Sequence, residues 1–223
     1  MSVSESSMVA DPSAARSPRP LTFKRWLVIS RSWISILLLL PVSLLVMLSP
    51  PRFPLPGWGT LAFDTLGWSL FLAGGAMRWW ATLYIGGRKT VELVTDGPYS
   101  ITRNPIYLGT LLLTLSVGAF LQSLTFLGTV LLVAVPYLLI TVSDEEEDLG
   151  QRHSAAFVEY RRTVPALLPN FFLFHSRPVI ELQTSGLKRE LIRSCRWVWI
   201  PMLCDLAIHF RAETWWPTLL TLP

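Results

Sequence analysis

Residues 103–147 read RNPIYLGTLLLTLSVGAFLQSLTFLGTVLLVAVPYLLITVSDEEE, and this stretch decides the fold. Two apolar runs, Ile106 to Leu121 and Leu124 to Val142, are separated only by Gln122 and Ser123. A two-residue connection between helices makes an antiparallel hairpin whose tip is too short to hold a domain. Its two polar flanks, the RNP segment before it and the SDEEE segment after it, are therefore expected in the same compartment.

Working outward, Gly86 to Asn104 is polar, with a turn at Asp96, Gly97 and Pro98. Before it, Leu61 to Ile85 is a second long apolar run, with Asp64 near its outer end and Arg78 near its inner end. Leu27 to Leu48 is another, with Arg31 placed to snorkel and Pro41 to kink it. Ser49 to Gly57 (SPPRFPLPG) cannot be helical and reads as a tight external loop. With about 20 apolar residues needed per crossing, the expectation is an all-α integral membrane bundle of four spans.

Composition agrees. The chain has 223 residues, 51% hydrophobic and 15% charged, with a mean hydropathy of +0.45, whereas roughly a quarter of residues are charged in average soluble domains. Ten Trp and a net charge of +4 suit indoles at the headgroups and Lys/Arg against an anionic leaflet. No basic stripe with interleaved aromatics lies in a soluble segment, so a nucleic-acid partner is not expected. Cys195 and Cys204 lack redox or metal spacing and read as small buried apolar side chains; His153, His175 and His209 are too scattered for a metal, and none is assigned.

Orientation follows the Lys/Arg bias. Arg16, Arg19, Lys24 and Arg25 precede the first run, Arg88, Lys89 and Arg103 follow the second, and Arg152, Arg161 and Arg162 follow the fourth, while the external loop holds only Arg52. The N-terminus and the polar flanks of the hairpin are thus expected in the cytosol. Residues 1–20 read as a disordered cytosolic tail, 21–170 as the transmembrane domain, and 171–223 as a membrane-associated extension. Within the extension, Trp197 to Phe210 is short and interrupted by Asp205 and His209, which reads as an interfacial helix, with a fifth span as the alternative. Oligomeric state is not encoded in any of these features.

Two clusters carry chemistry. In LVTDGPYSITRNPIYLG (93–109), Asn104 is a good N-cap and Pro105 suits the first helical position. The helix start favours an anionic group, with Arg103, Tyr99 and Tyr107 beside it. In SDEEE, Glu145 and Glu146 offer carboxylates to a cation, although Ser143 and Glu146 also have capping-box spacing and Asp148 and Arg152 could pair on one helix face. The hairpin brings both clusters together, a site for a zwitterionic cofactor and an apolar substrate.

These residues resemble the isoprenylcysteine carboxyl methyltransferase and phospholipid methyltransferase superfamily of membrane enzymes, over about Gly67 to Pro169. The likeness rests on Arg78, Trp79, Trp80 and Ala81, on Gly97 to Tyr99, on Arg103 to Gly109, on Glu145, Glu146 and Leu149, and on Tyr160, Val164, Pro165 and Pro169. It implies S-adenosylmethionine as cofactor, contacted by Tyr99, Asn104, Pro105, Tyr107 and Glu145, with Arg103 and Glu146 catalytic and nearest the reacting centre. It implies a lipid or lipidated acceptor met by Tyr160 and Arg161, with Arg161 or Arg162 standing in for an arginine that the family carries near the Val-Pro step. The chain departs from the family at Asn104, often His, and at His153 and Ser154, where Phe-Gly is usual. The competing readings are an NADPH-dependent membrane reductase of the sterol type, which would require more Lys/Arg around the pocket, and a non-enzymatic membrane binding protein.

Overall fold

The structure, a computed structural model, describes residues 40–53, 57–85, 93–178 and 184–219. The N-terminal tail, most of the first apolar run, and Arg88 and Lys89 lie outside these residues, as do the side chains of Asp148, Arg152 and His153. Residues 40–47 are helical. Then follow α1 (Trp58–Ile85), the single turn α2 (Pro98–Ile101), α3 (Pro105–Phe120), α4 (Leu124–Thr163), a 3-10 turn at Phe171–Leu173, α5 (Thr184–Trp197) and α6 (Trp199–Ala212). Every regular element among the described residues is helical, as expected.

One of them is a clear candidate to span a membrane. Leu124–Glu147, within α4, is long and apolar enough to cross by itself. α3 is apolar, but its 16 residues extend only about 24 Å, short of a hydrocarbon core of roughly 30 Å. The all-helical architecture therefore stands, with one clear candidate span among the described residues, and a bundle of four crossings goes beyond it.

The hairpin tip forms as its spacing demands. Gln122 takes a left-handed φ of 52° just past α3, its N–H donating to Ala119 O at 2.9 Å, while Ser123 N–H donates to Gly118 O at 3.0 Å. This pair of bonds closes the last turn of α3. Ser123 then starts α4, its Oγ accepting from Phe126 N–H at 3.2 Å. Around this end, Val46, Phe120, Leu121, Phe126, Val130 and Cys204 form an apolar cluster. Cys204 is thus buried as expected, whereas Cys195 is exposed.

Two expectations need correction. α4 does not stop where its apolar run ends: it continues through SDEEE to Thr163, and Ser143 Oγ donates to Leu139 O at 2.9 Å, one turn back, instead of capping a new helix. Backbone hydrogen bonds are indifferent to the change from lipid-compatible to polar side chains. Nor is Trp197 to Phe210 a lone helix: α6 follows α5 directly, and both pack on the bundle. Glu190 of α5 bonds Arg78 of α1, and Arg211 of α6 donates to Ser49 O and Leu121 O, both at 2.8 Å, at the hairpin tip. The pair runs the length of α3, leaving Trp199, Met202, Leu203 and Leu206 exposed along its outer side. A reporter inserted between α4 and α5 and one at the C-terminus are accordingly expected on opposite faces; both reporting the same face would exclude a crossing by this pair.

Candidate functional site

One close approach between two helices sets the site. α1 and α3 meet at Gly74 and Gly109, where a Cβ on Gly109 would fall 2.7 Å from Gly74 O and one on Gly74 would fall 2.8 Å from Gly109 O. Only hydrogen fits there, so the backbones nearly touch and Arg78, one turn along α1, lies against the first turns of α3.

A second fastening holds the segment before α3. Gly97 has φ of +62°, and a Cβ there would strike the Tyr84 ring at 2.2 Å, so glycine is required twice over. Its N–H donates to His175 O at 2.8 Å, while Arg103 N–H donates to Pro165 O at 2.9 Å and Asn170 N–H to Ile101 O at 2.8 Å. The chain after α4 thus returns along 97–104 and locks it. Asn104 holds the N-cap position without capping: its Nδ2 donates instead to Ala166 O at 3.1 Å. Pro105 does occupy the first helical turn.

Between these fastenings lies a cavity of about 820 Å³. Tyr99, Arg103, Asn104, Pro105, Tyr107, Glu145 and Tyr160 all line it, so the two clusters at the hairpin's ends share one space. The Glu145 carboxylate is hydrogen-bonded by Tyr107. Arg103 Nε donates to Glu146 Oε1 at 2.8 Å, and its Nη1 donates to Arg161 O at 2.9 Å and Val164 O at 2.5 Å. Glu146 Oε2 faces Arg161 Nε at 3.5 Å. Glu146 is buried behind the cavity wall, and Arg161 is largely exposed outside it.

Tyr160 lines the cavity but its hydroxyl donates to Tyr99 O at 2.8 Å, tying α4 to α2. Burial pushes the Tyr160 phenol up, a push that Arg103 opposes and Glu146 reinforces, and burial likewise pushes Tyr99 well up. Both phenols therefore remain neutral near pH 7 and neither acts as a base.

The remaining wall was not anticipated. Arg78 Nε donates to Glu190 Oε1 at 2.9 Å, its Nη1 to Thr110 Oγ1, and its guanidinium lies 4.8 Å from the Trp197 ring centroid. Arg193 Nη1 donates to Glu190 Oε2 at 2.5 Å. The signal available was the spacing Leu187, Glu190, Ser194, Trp197, which sets one acid on a single face of an otherwise basic helix.

A model of the phospholipid methyltransferase family matches residues 63–153. The nickel-cobalt-cadmium resistance protein NccN of Alcaligenes xylosoxydans xylosoxydans is 31% identical over 166 residues, 74% of this chain and 78% of that protein. The chain belongs to the phospholipid methyltransferase family. The family is part of the isoprenylcysteine/phospholipid methyltransferase superfamily, and membership supports methyl transfer as the class of chemistry. The cobalt-zinc-cadmium resistance protein CzcN of Cupriavidus metallidurans is 35% identical over 134 residues, 60% of each chain. No solved structure matches. The family segment contains Arg78, Arg103, Tyr107 and Glu145 but ends before Tyr160 and α5, so the wall built by Glu190, Arg193 and Trp197 lies beyond it.

Proposed function

We propose that this phospholipid methyltransferase family protein transfers the methyl group of S-adenosylmethionine to a lipophilic acceptor at the cytosolic face of a membrane. The carrying observation is the single cavity that gathers the Arg103–Tyr107 segment and the Glu145 carboxylate from opposite ends of the hairpin. Its donors suit a zwitterion: Glu145 would take the ammonium, and the opening N–H groups of α3 the carboxylate. A volume of about 820 Å³ falls within the usual range for small-molecule sites. The cofactor would supply an electrophilic methyl on a sulfonium.

The chain's own part is alignment. Tyr99, Asn104, Pro105 and Tyr107 would hold the cofactor, and fixing the two reactants can account for several kcal/mol of barrier. In this reading Arg103 and Glu146 act as a positioning pair, since each is engaged by the other and by the α4 end. Tyr160 would meet the acceptor through the cavity wall, whereas Arg161, expected beside it, lies outside the cavity. The two relatives are named for resistance to nickel, cobalt, cadmium and zinc; on that basis the methylated product would serve tolerance of such cations.

Calorimetry of detergent-purified protein with S-adenosylmethionine tests the reading. Binding is expected in the parent and weakened at least about tenfold by Glu145→Gln, which removes a charged hydrogen-bond acceptor. Asn104→Ala, which frees the Ala166 carbonyl and loosens the segment, should weaken it too. Absence of binding in the parent would overturn the assignment.

A further inference from the structure

We propose that the loop of residues 168–174 is an apolar wedge seated in the leaflet on the cavity's side of the membrane, with the flanking arginines at the lipid phosphates. Nothing in this seating depends on methyl transfer.

The loop displays side chains that water does not favour. Leu168, Phe171, Phe172 and Phe174 are all exposed, Phe172 completely, while Leu173 turns inward onto the cluster of Phe157, Tyr160 and Val164. A contiguous apolar patch of this kind marks contact with a partner or a membrane. Its backbone is held firmly. Asn170 Oδ1 accepts from Phe172 N–H at 3.2 Å, and Asn170 N–H donates to Ile101 O at 2.8 Å. Before them, Ala166 O accepts from Thr102 Oγ1 and Asn104 Nδ2, both at 3.1 Å, and after them His175 N–H donates to Ser100 Oγ at 3.1 Å. With both ends bonded to 97–104, the phenylalanines are presented outward by a fixed frame.

Depth decides for lipid over a soluble partner. The candidate span in α4 ends at Glu147. Glu146 bonds Arg103, whose N–H donates to Pro165 O and whose Nη1 donates to Arg161 O and Val164 O, so the chain enters the loop level with the end of that span. At the other end of the loop, the Phe174 and Trp80 ring centroids lie 5.8 Å apart. Trp80 comes five residues before α1 ends at Ile85, roughly 8 Å back along the helix. The loop therefore lies alongside the apolar run of α1 instead of standing off into water, the depth at which an apolar face enters the boundary between headgroups and acyl chains.

The flanks carry donors for phosphate. Arg161 and Arg162 lead into the loop and Arg177 leaves it, all three exposed. Arg161 and Arg177 face the buried carboxylates of Glu146 and Asp96 at 3.5 and 3.3 Å, and with more than half of each side chain exposed they keep further N–H groups for a headgroup. With Arg103 and the exposed Glu159 counted as well, acids and bases nearly balance here, so seating does not require an anionic lipid. Pro165 and Ala166, which hold Arg103 and Asn104, belong to the same return of the chain, and the wedge thereby fixes the height of the cavity against the bilayer.

The test uses the full chain with Cys195→Ser and Cys204→Ala in phosphatidylcholine nanodiscs, carrying a nitroxide at Phe172→Cys. Its relaxation by oxygen and by a water-soluble nickel chelate is compared with labels at Leu132→Cys, exposed within the candidate span, and at Glu159→Cys, exposed beyond it. The oxygen-to-nickel ratio at 172 is expected near that at 132 and above that at 159. Adding Leu168→Ser and Phe171→Ser should shift it toward the ratio at 159, and exchanging phosphatidylcholine for phosphatidylglycerol should leave it unchanged. A ratio at 172 equal to that at 159 would overturn the proposal, as would an oxygen preference seen only in the anionic lipid. A label shielded from both reagents, with spectral broadening when two copies share a disc, would assign the loop to a second copy of the chain and overturn it too. Neither reagent reports on S-adenosylmethionine, so failure here leaves the methyl-transfer reading to its own calorimetric test.

Discussion

Gly109→Val is expected to abolish S-adenosylmethionine binding and to lower the thermal midpoint by several degrees. The first atom added would meet Arg78 Cγ at 2.5 Å and two backbone atoms, Gly74 O at 2.7 Å and Arg78 N at 3.2 Å, and the backbone contacts remain even if the Arg78 side chain rotates away. α1 and α3 must separate, and overpacking of this kind typically costs about 1–3 kcal/mol or more. At roughly 2–4 °C per kcal/mol for a chain of this size, the midpoint should fall by about 2–12 °C. Binding should suffer more than stability, because separation also pulls Arg78 from Thr110 and Ile106 in the cavity wall. The control is Gly75→Val, one residue along from Gly74, where an added Cβ meets nothing within 4 Å. Thermal unfolding and calorimetry on both variants decide the matter; a Gly109→Val protein that binds like the parent would show that the helix contact does not set the cavity.

Arg103→Met should cost about 3–5 kcal/mol, the penalty for removing one member of a buried ion pair, because only the largely exposed Arg161, 3.5 Å away, then faces Glu146. Both side chains are about nine-tenths buried, so solvent does little to soften the loss. Three acceptors lose their donor at once: Glu146 Oε1, Arg161 O and Val164 O. The double variant Arg103→Met/Glu146→Leu removes the stranded charge and is expected to recover part of the stability in a thermal melt, but not the two carbonyl bonds. Methyl transfer should stay lost in both, because the return of the chain at 161–166 positions the Asn104 segment. Full activity in the double variant would remove this pair from the proposed mechanism.

The hairpin was legible because its signal is local: two apolar runs and a two-residue tip fix both helices and the shared side of their ends. The extent of α4 was not, since a polar sequence after an apolar one looks like an ending when only lipid compatibility is read, whereas Ser143 keeps the helical pattern. Tyr99, Arg103, Asn104, Tyr107 and Glu145 were found from their flanking positions, and the cavity gathers them. What the individual side chains do was harder. Asn104 has the composition of a cap and spends its amide on Ala166, a residue 62 positions away. Arg78 and Glu190 are 112 positions apart, and no pattern in either neighbourhood names the other.

Arg211 carries a consequence for how the molecule is made. Its guanidinium donates to the carbonyls of Ser49, Pro50 and Leu121, the ends of two earlier helical segments. Those oxygens have no helical donor of their own. The residue that satisfies them lies 162 positions after Ser49 and 90 after Leu121. During synthesis, the finished hairpin and its neighbouring loop must therefore wait with open carbonyl ends while α5 and most of α6 leave the ribosome, and the outer end of the bundle is sealed only after both walls of the cavity have been made.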